Sequence, residues 1–243
     1  MRRTRIETRH LEKGRVLMHI AEGFLPLTHC VVWGLASAPF VVHGARAVIT
    51  QAKENPESKL LLAAAGAFTF MMSAIKLPSV TGSSSHPTGT GAGVILFKPP
   101  VMAFMGTVVL VFQALLLAHG GLTTLGANVF SMAVAGPWAG YAVWVALRGA
   151  RAPMEVSVFF AMATANLVTY VVTSLQLALA YPDPDLLGAF GKFATVFALT
   201  QVPLAIMEGI VGVLLFRFLA KVVPPELARR GIIAAPVKDA AHA

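Results

Sequence analysis

The stretch HPTGTGAGVILFKPPVMAFMGTVVLVFQALLLA, residues 86–118, decides the fold of this chain. Its second part, residues 101–118, is a plain apolar run, whereas residues 86–97 are apolar only at their end. A dozen helical residues rise only about 18 Å, which is too little to cross a bilayer core about 30 Å thick. Residues 86–118 therefore form either one span or two, and in the second case the chain turns at Lys98-Pro99-Pro100.

Composition places the whole chain in a membrane. Of its 243 residues, 56% are hydrophobic and 12% are charged, and the mean hydropathy is +0.73. A soluble domain of this composition would have too little polar surface to cover itself. The single cysteine, Cys30, excludes an internal disulfide and a thiolate zinc site. Five other long apolar runs cover residues 27–50, 59–77, 125–147, 154–181 and 190–221.

The distribution of basic residues chooses between one span and two. Cytoplasmic loops are enriched in Lys and Arg, so we take the basic loop after the first span as cytoplasmic. If residues 86–118 crossed the membrane once, the acidic loop at residues 181–185 would be cytoplasmic and the later basic residues would be external. A turn at Lys98 adds a crossing, which places the acidic loop outside and the basic residues in the cytoplasm. The basic residues used are Arg46, Lys53 and Lys59 in the first loop and Arg148, Arg151, Arg217, Lys221, Arg229 and Arg230 later. We therefore predict an all-α integral membrane protein with about seven transmembrane helices, a short third span, an external N-terminus and a cytoplasmic C-terminus.

The short third span also points to a binding site. Its crossing must include non-helical chain from the glycine-rich stretch Gly82–Gly93, and irregular backbone at membrane depth is tolerated only where protein or a wet cavity satisfies it. Short, glycine-interrupted segments of this kind form the substrate sites of several transporters. We therefore expect His86, at the start of this span, to be a ligand. A glycine-rich turn with a structural His86 is the alternative.

The sequence MHIAEGFLP, residues 18–26, supplies further nitrogen donors. If Met18 were the first residue, its amine, the His19 amide nitrogen and the His19 imidazole could chelate one ion in fused small rings, and His86 could supply a fourth nitrogen. Such donors suit Ni(II), Co(II) and Cu(II) better than Mg²⁺ or Ca²⁺. Binding would release protons. An ordinary interfacial histidine at position 19 is the alternative.

Three other polar residues are candidates for the surroundings of this site. His119 lies on the same external face in the predicted topology and could orient a ligand, although a capping or loop role is equally well supported. Glu22 and Ser85 adjoin the two histidine stretches. Glu208 lies deep in the last span, where we expect it to pair with a neighbouring helix.

The chain divides into three parts. Residues 1–17 form a basic leader without a long apolar run, so it does not resemble a secretory signal, and nothing in it indicates nucleic-acid binding. A basic segment held outside would oppose the positive-inside bias, which favours a mis-assigned start over a genuine extension. Residues 18–223 form a seven-helix membrane metal-binding domain, and residues 224–243 form a cytoplasmic tail.

Several activities are excluded or weakly supported. The sequence has no GxxxxGK[ST] phosphate loop, so the chain cannot drive transport by its own ATP hydrolysis, and it has no HExxH metalloprotease helix. An intramembrane hydrolase that uses Ser85 and His86 is an alternative function, although no GxSxG elbow accompanies these residues. A stand-alone metal channel is another. We expect no cofactor of its own.

Four motifs resemble one family of membrane proteins. They are MHIAEGFLP from Met18, SVTGSSSHPTGTG from Ser79, QALLLAHGGLTTLGANVFSMA from Gln113 and TSLQLALAYP from Thr173. In this order, they resemble CbiM/NikM, the substrate-binding (S) components of energy-coupling factor transporters for cobalt and nickel.

The resemblance implies that the chain captures Co(II) or Ni(II) at the external face of a bacterial or archaeal cytoplasmic membrane and delivers it inward, with cobalamin synthesis as one use of the cobalt. It implies that the metal is held by the Met18 amine, the His19 amide and imidazole, and His86. The implied partners are a CbiQ-like transmembrane coupling subunit, CbiO-like ATPase subunits and a small CbiN/NikN-like auxiliary membrane subunit. Family members begin at the Met of MHI, so amine ligation here requires a start at Met18 or removal of the leader.

Overall fold

The computed structural model describes residues 19–75, 77–78 and 84–234. Met18, the basic leader and residues 235–243 lie outside the described residues, so the expectations for them stay predictions. Each of the six long apolar runs corresponds to a helix, and two two-residue strands, β1 (Leu77–Pro78) and β2 (Ser84–Ser85), pair antiparallel. The helices are α1 (Leu27–Glu54), α2 (Ser58–Ala74), α3 (Thr90–Leu117), α4 (Leu125–Gly149), α5 (Met154–Ala180), α6 (Leu186–Val222) and α7 (Pro224–Arg229).

The surface of the bundle is apolar, as contact with lipid requires. Five helices, α1 and α3 to α6, are long and apolar enough to cross a membrane, and α2 is a shorter apolar helix of 17 residues. Large side chains such as Leu27, Leu60 and Leu187 are 75%, 80% and 78% exposed. Soluble monomers rarely expose contiguous apolar surface of this extent. The chain is therefore a multi-pass membrane protein.

Helix α3 reverses direction at Lys98, as the sequence predicts. Lys98 has φ 69° and ψ 162°, which is not helical, and the two prolines after it lack the N–H groups that a continuous helix needs. A straight helix of 28 residues would separate its ends by about 42 Å. The rings of His86 and His119, just outside these ends, lie only 4.8 Å apart. Residues 90–97 therefore run back along residues 99–117, while the number and orientation of membrane crossings stay predictions.

The turns at the opposite end of the bundle surround an open cavity of about 1140 Å³. It is lined by the α1–α2 turn, by Lys98 and by the end of α7. Arg230, just after α7, donates a hydrogen bond to the Leu96 carbonyl at 2.7 Å. Residues 224–234, the start of the predicted tail, therefore pack on the bundle, and Ile232 is buried there.

Helix α4 changes its hydrogen-bonding register near its start. It is α-helical at Leu125–Asn128, π-helical at Val129–Ala135 and α-helical again beyond this stretch. Pro137 accounts for the change, because it lacks the N–H that the Ala133 carbonyl would accept in an α-helix. Single π turns are frequent at functional sites, and this one follows Asn128 directly.

Candidate metal centre

Three buried histidines meet at the end of the bundle where α3 begins and ends. His19, His86 and His119 are 4%, 0% and 1% exposed. Their ring centroids are 4.7 Å apart for His19 and His86, 4.7 Å for His19 and His119, and 4.8 Å for His86 and His119. One ligand nitrogen from each ring can be chosen so that all three lie within 4.8 Å of one another. Within residues 19–75, 77–78 and 84–234, this is the one such group of three His, Cys, Asp or Glu residues.

His19 reaches the cluster on residues 19–26, which we call the N-terminal strap. The Ile20 N–H donates to Asn128 Oδ1 at 3.0 Å, and the Ile20 carbonyl accepts from Asn128 Nδ2 at 3.1 Å and from Thr124 Oγ1 at 2.6 Å. Buried irregular backbone must find hydrogen-bond partners, and here side chains at the start of α4 supply them. The position of His19 is therefore set by α4.

The outer part of the N-terminal strap is held by exposed contacts. The Thr123 N–H donates to Glu22 Oε2 at 3.2 Å, and Thr123 Oγ1 accepts from the Gly23 N–H at 3.3 Å. Hydrogen bonding by the Thr123 side chain lowers the pKa of Glu22. Glu22 thus fastens the strap.

His86 lies in a short segment, residues 85–89, which is irregular after the last residue of β2 and which we call the His86 loop. Ser85 Oγ donates to Thr200 Oγ1 at 2.6 Å, and the Tyr170 hydroxyl donates to the His86 carbonyl at 3.1 Å. His86 Nδ1 lies 2.8 Å from the carbonyl oxygen of the following proline. Because a carbonyl only accepts, Nδ1 carries the proton and Nε2 has the lone pair that a metal requires.

The rest of the His86 loop is anchored by the carboxylate of Glu208, which is fully buried on α6. It accepts hydrogen bonds from the Thr88 N–H at 2.8 Å, the Thr88 hydroxyl at 3.0 Å and the Gly89 N–H at 2.9 Å. Asn166 Nδ2 on α5 donates to the same carboxylate at 2.8 Å. A buried charge is tolerated when such donors surround it. Glu208 thereby joins the loop before α3 to α5 and α6.

His119 owes its position to the left-handed end of α3. Ala118 has φ 47°, and the His119 N–H donates to the Gln113 carbonyl at 3.1 Å. Gly120 follows with φ 78°, and a Cβ atom there would lie 3.4 Å from His19 Cβ. That distance is an ordinary van der Waals contact, so what glycine provides at this position is the left-handed backbone conformation.

Comparison with known protein families assigns the chain to one of them. The sequence model of CbiM, described as "Cobalt uptake substrate-specific transmembrane region", matches residues 19–226. The chain belongs to the CbiM family. The match covers both histidine segments and every helix from α1 to α6.

Curated relatives match this CbiM-family chain over nearly their whole length. The cobalt transport protein CbiM of Streptomyces coelicolor is 62% identical over 218 residues, which are 89% of this chain and 94% of that protein. The cobalt transport protein CbiM of Propionibacterium freudenreichii subsp. shermanii is 62% identical over 217 residues, which are 88% and 92% of the two chains. These names are consistent with a transporter component rather than an enzyme.

Two solved structures share the fold. The crystal structure of a transition metal transporter matches with a TM-score of 0.73 at 23% identity, over 84% of this chain and 93% of that one. The crystal structure of a truncated transition metal transporter matches with a TM-score of 0.67 at 24% identity, over 84% and 98%. At these identities the comparison establishes a shared fold alone.

The structure brings together some of the predicted site residues and separates others. His19 and His86 meet although 66 positions lie between them, and His119, which was expected only to surround the site, lies against both rings. Glu22 lies on the outer strap and is not in the histidine cluster. The Ser85 hydroxyl donates to Thr200, which gives Ser85 a part in fastening the His86 loop.

Sequence reasoning missed the polar residues that hold the two histidine segments. Gln113 and Asn128 occur in the motif from Gln113 onward, but nothing in their spacing shows which backbone they contact. The position of Glu208 deep in the last span predicts that it has a partner but does not identify that partner. A buried carboxylate needs hydrogen-bond donors, and the N–H groups of a glycine-rich irregular segment need acceptors. This complementarity is the sequence signal that could have paired Glu208 with the His86 loop.

The donor set of the cluster is chemically suited to a borderline divalent transition-metal ion. Among the described residues it contains imidazoles and no carboxylate or thiolate. Neutral imidazole suits Ni, Co, Zn and Cu, whereas Mg²⁺ and Ca²⁺ prefer oxygen ligands. The residues present therefore fit the class of ion named in the CbiM family description.

Proposed function

We propose that this chain is the substrate-binding membrane subunit of an ATP-driven energy-coupling factor importer, and that it captures Co(II) or Ni(II) at the external face and delivers the ion inward. The observation that carries the proposal is the buried cluster of His19, His86 and His119 at one end of a CbiM-family bundle. Delivery of cobalt to cobalamin synthesis is one use that this function would serve.

The proposed ligands are nitrogen atoms from two segments. The Met18 amine and the His19 amide and imidazole supply three of them, and His86 supplies the fourth through Nε2. His119, whose ring adjoins both histidines, lines the ion on another side, and Glu22 and Ser85 support the two segments. The amide and the amine must lose protons to bind, so the affinity should fall in acid.

The proposed orientation follows the basic residues. The cavity at the end opposite the histidines is lined by four of them, Arg46, Lys98, Arg229 and Arg230. Cytoplasmic ends of membrane proteins are enriched in Lys and Arg. The histidine cluster would then face the outside of a bacterial or archaeal cytoplasmic membrane.

The proposed partners supply what this sequence lacks. No phosphate loop occurs in it, so the energy would come from CbiO-like ATPase subunits through a CbiQ-like membrane subunit, with a small CbiN/NikN-like subunit as an accessory. The names of the curated relatives as cobalt transport proteins support this assignment.

The decisive experiment is calorimetric titration of the detergent-purified protein with Ni²⁺ and with Co²⁺. We expect the form that begins at Met18 to bind and the form that retains residues 1–17 not to bind. His86→Ala is expected to abolish binding, and Ser85→Ala to change it little. Equal affinity of the two forms would refute amine ligation, and metal binding by His86→Ala at the original affinity would refute the site.

Transport assays separate the remaining functions. Metal accumulation in cells should require co-expression of a CbiQ-like and a CbiO-like subunit, and a channel that acts alone would show no such requirement. An intramembrane hydrolase would lose turnover in Ser85→Ala while metal uptake continued. Either result would replace the proposed function.

A further inference from the structure

The amide side chain of Gln113 connects His19 to helix α2. Gln113 lies on the returning half of α3 and is completely buried. Its Oε1 lies 2.7 Å from His19 Nε2, and its Nε2 donates to the hydroxyl oxygen of Ser73 on α2. The three side chains form a continuous hydrogen-bonded chain from the backbone of α2 to the histidine cluster.

The orientation of this amide is determined by the backbone of α2. Ser73 Oγ lies 2.8 Å from the Thr69 carbonyl oxygen and 2.9 Å from the Phe70 carbonyl oxygen. Carbonyl oxygens only accept, so the single hydroxyl proton of Ser73 is directed to α2. Ser73 must therefore accept from Gln113, which turns the NH₂ group toward Ser73 and Oε1 toward His19.

This orientation selects one tautomer of His19. Because Gln113 Oε1 only accepts, His19 Nε2 must carry the ring proton, and the lone pair of the neutral ring is on Nδ1. Nδ1 is also the ring nitrogen bonded to Cγ, so it alone can close a six-membered chelate ring with the metal and the His19 amide nitrogen. Nε2 is too far along the ring to close such a chelate.

We propose that Gln113, oriented by Ser73, is a positioning residue that holds His19 as the Nε2–H tautomer and presents Nδ1 to a Co(II) or Ni(II) ion. This inference rests on the proposed function for the identity of the ion, whereas the tautomer itself is a property of the protein without metal. A hydrogen bond from the second ring nitrogen of a metal-binding histidine typically changes metal affinity about 10–100-fold.

The tautomer can be tested without any metal. Nitrogen-15 NMR of histidine-labelled, metal-free protein separates ring nitrogens that carry a proton from those that do not, and the signals that disappear in His19→Ala belong to His19. We expect a protonated Nε2 and an unprotonated Nδ1 in the wild type, and a mixture of tautomers in Ser73→Ala and in Gln113→Met. Gln176→Met removes another fully buried amide and should leave the His19 signals unchanged. A protonated Nδ1 in the wild type would overturn the proposal.

Metal titration of the form beginning at Met18 tests the consequence. Gln113→Met keeps the length of the side chain and removes the acceptor, so we expect the Ni²⁺ affinity to fall about 10–100-fold. Gln113→Glu retains an acceptor for the His19 Nε2–H, so its Ni²⁺ affinity should lie within a few-fold of that of the unsubstituted protein. The visible absorption spectrum of its bound Ni²⁺ should also match that of the unsubstituted protein. Ser73→Ala should give an intermediate loss, because the amide is free to turn.

The outcomes are distinguishable from failure of the proposed function. Unchanged Ni²⁺ affinity in Gln113→Met, or an equal loss in Gln113→Glu, would overturn the positioning role. If the form beginning at Met18, with no further substitution, binds neither Ni²⁺ nor Co²⁺, the proposed function fails, and the metal-free spectra still confirm or refute the tautomer.

Discussion

The two segments that carry histidines to the candidate metal centre are anchored in opposite ways. The N-terminal strap is held at Ile20 by the neutral side chains of Asn128 and Thr124. The His86 loop is held by the buried carboxylate of Glu208, which accepts four hydrogen bonds. One histidine therefore depends on amide and hydroxyl groups at the start of α4, and the other on a charge between α5 and α6.

This difference implies that the His86 loop is part of the stable bundle, whereas the N-terminal strap is attached to the bundle more weakly. A neutral hydrogen bond contributes about 0.5–1.5 kcal/mol net, whereas one to a charged group contributes about 1.5–3 kcal/mol. Loss of the Glu208 contacts would disturb the contacts among α3, α5 and α6, and loss of the Asn128 contacts would free only the chain before α1. We therefore expect the strap to detach while the His86 loop stays in place.

The largest effect is expected for Glu208→Ala. It leaves the buried N–H groups of Thr88 and Gly89 without their acceptor, at about 1–3 kcal/mol each, so the free energy of unfolding should fall by about 3–5 kcal/mol with the cavity included. Thermal unfolding in detergent measures this loss, because the melting temperature falls by about 2–4 °C for each kcal/mol. Glu208→Gln is the matched control, and its loss should be smaller because the amide keeps an acceptor oxygen for one of the two backbone N–H groups and leaves no cavity. An unchanged melting temperature in Glu208→Ala would contradict the anchoring role.

Asn128→Ala should release the N-terminal strap without unfolding the bundle. The Ile20 N–H loses its acceptor, so hydrogen exchange at residues 19–24 should become faster, and the Ni²⁺ affinity of the form beginning at Met18 should fall about 10–100-fold. The melting temperature should fall less than in Glu208→Ala. Ser131→Ala on the same helix is the control, because the Ser131 hydroxyl donates to the Ala127 and Asn128 carbonyls of its own helix. Equal loss of thermal stability in the Asn128 and Glu208 variants would remove the distinction between the two segments.

A smaller loss of stability is expected from a substitution in residues 90–97, the helical segment that follows the His86 loop. Gly93 packs against Met102 across the turn at Lys98, and a Cβ at position 93 would collide with the Met102 sulfur. Gly93→Ala should therefore cost about 1–2 kcal/mol of unfolding free energy, as overpacking of a core does. Adding Met102→Leu, which shortens the opposing side chain, should recover most of this loss in a double-mutant cycle. If the two effects simply add, residues 90–97 do not pack on the returning half of α3 in solution.

The helices and the turn at Lys98 could be predicted from the sequence because their causes are local. Apolar runs of about 20 residues predict spans, and the charge pattern of the loops distinguishes one crossing from two at residues 86–118. His86 could be selected as a candidate ligand because a short, glycine-rich segment needs a reason to lie within a membrane, and its role as a ligand stays a prediction. These inferences use apolar runs and loop charges, and none of them needs a specific contact between distant helices.

The partners of these residues could not be predicted because they depend on how the helices are rotated in the bundle. The contacts of His19 with Gln113 and of Ile20 with Asn128 span 94 and 108 positions, and those of Glu208 with Thr88 span 120. Hydrophobic periodicity does not specify such pairs, since each span is apolar on most of its faces. The role of His119 stayed open for the same reason, because only the left-handed end of α3 turns its ring toward the cluster.

The smallest expected effect concerns Glu22, the charged group of the strap. Hydrogen bonding by Thr123 lowers the pKa of Glu22, so by linkage its contribution is complete above the ordinary pKa of a glutamate and is lost as the pH falls through the lowered value. Glu22→Gln should speed hydrogen exchange at residues 21–24 by about twofold at neutral pH, the size expected of an exposed contact. The difference from wild type should vanish in acid, after correction for intrinsic exchange, whereas the effect of Asn128→Ala should remain because an amide does not titrate. A difference for Glu22→Gln that persisted in acid would show that the carboxylate charge is not what fastens the outer strap. The strap would then be held by neutral hydrogen bonds alone, and acid should loosen it no more than it loosens the His86 loop.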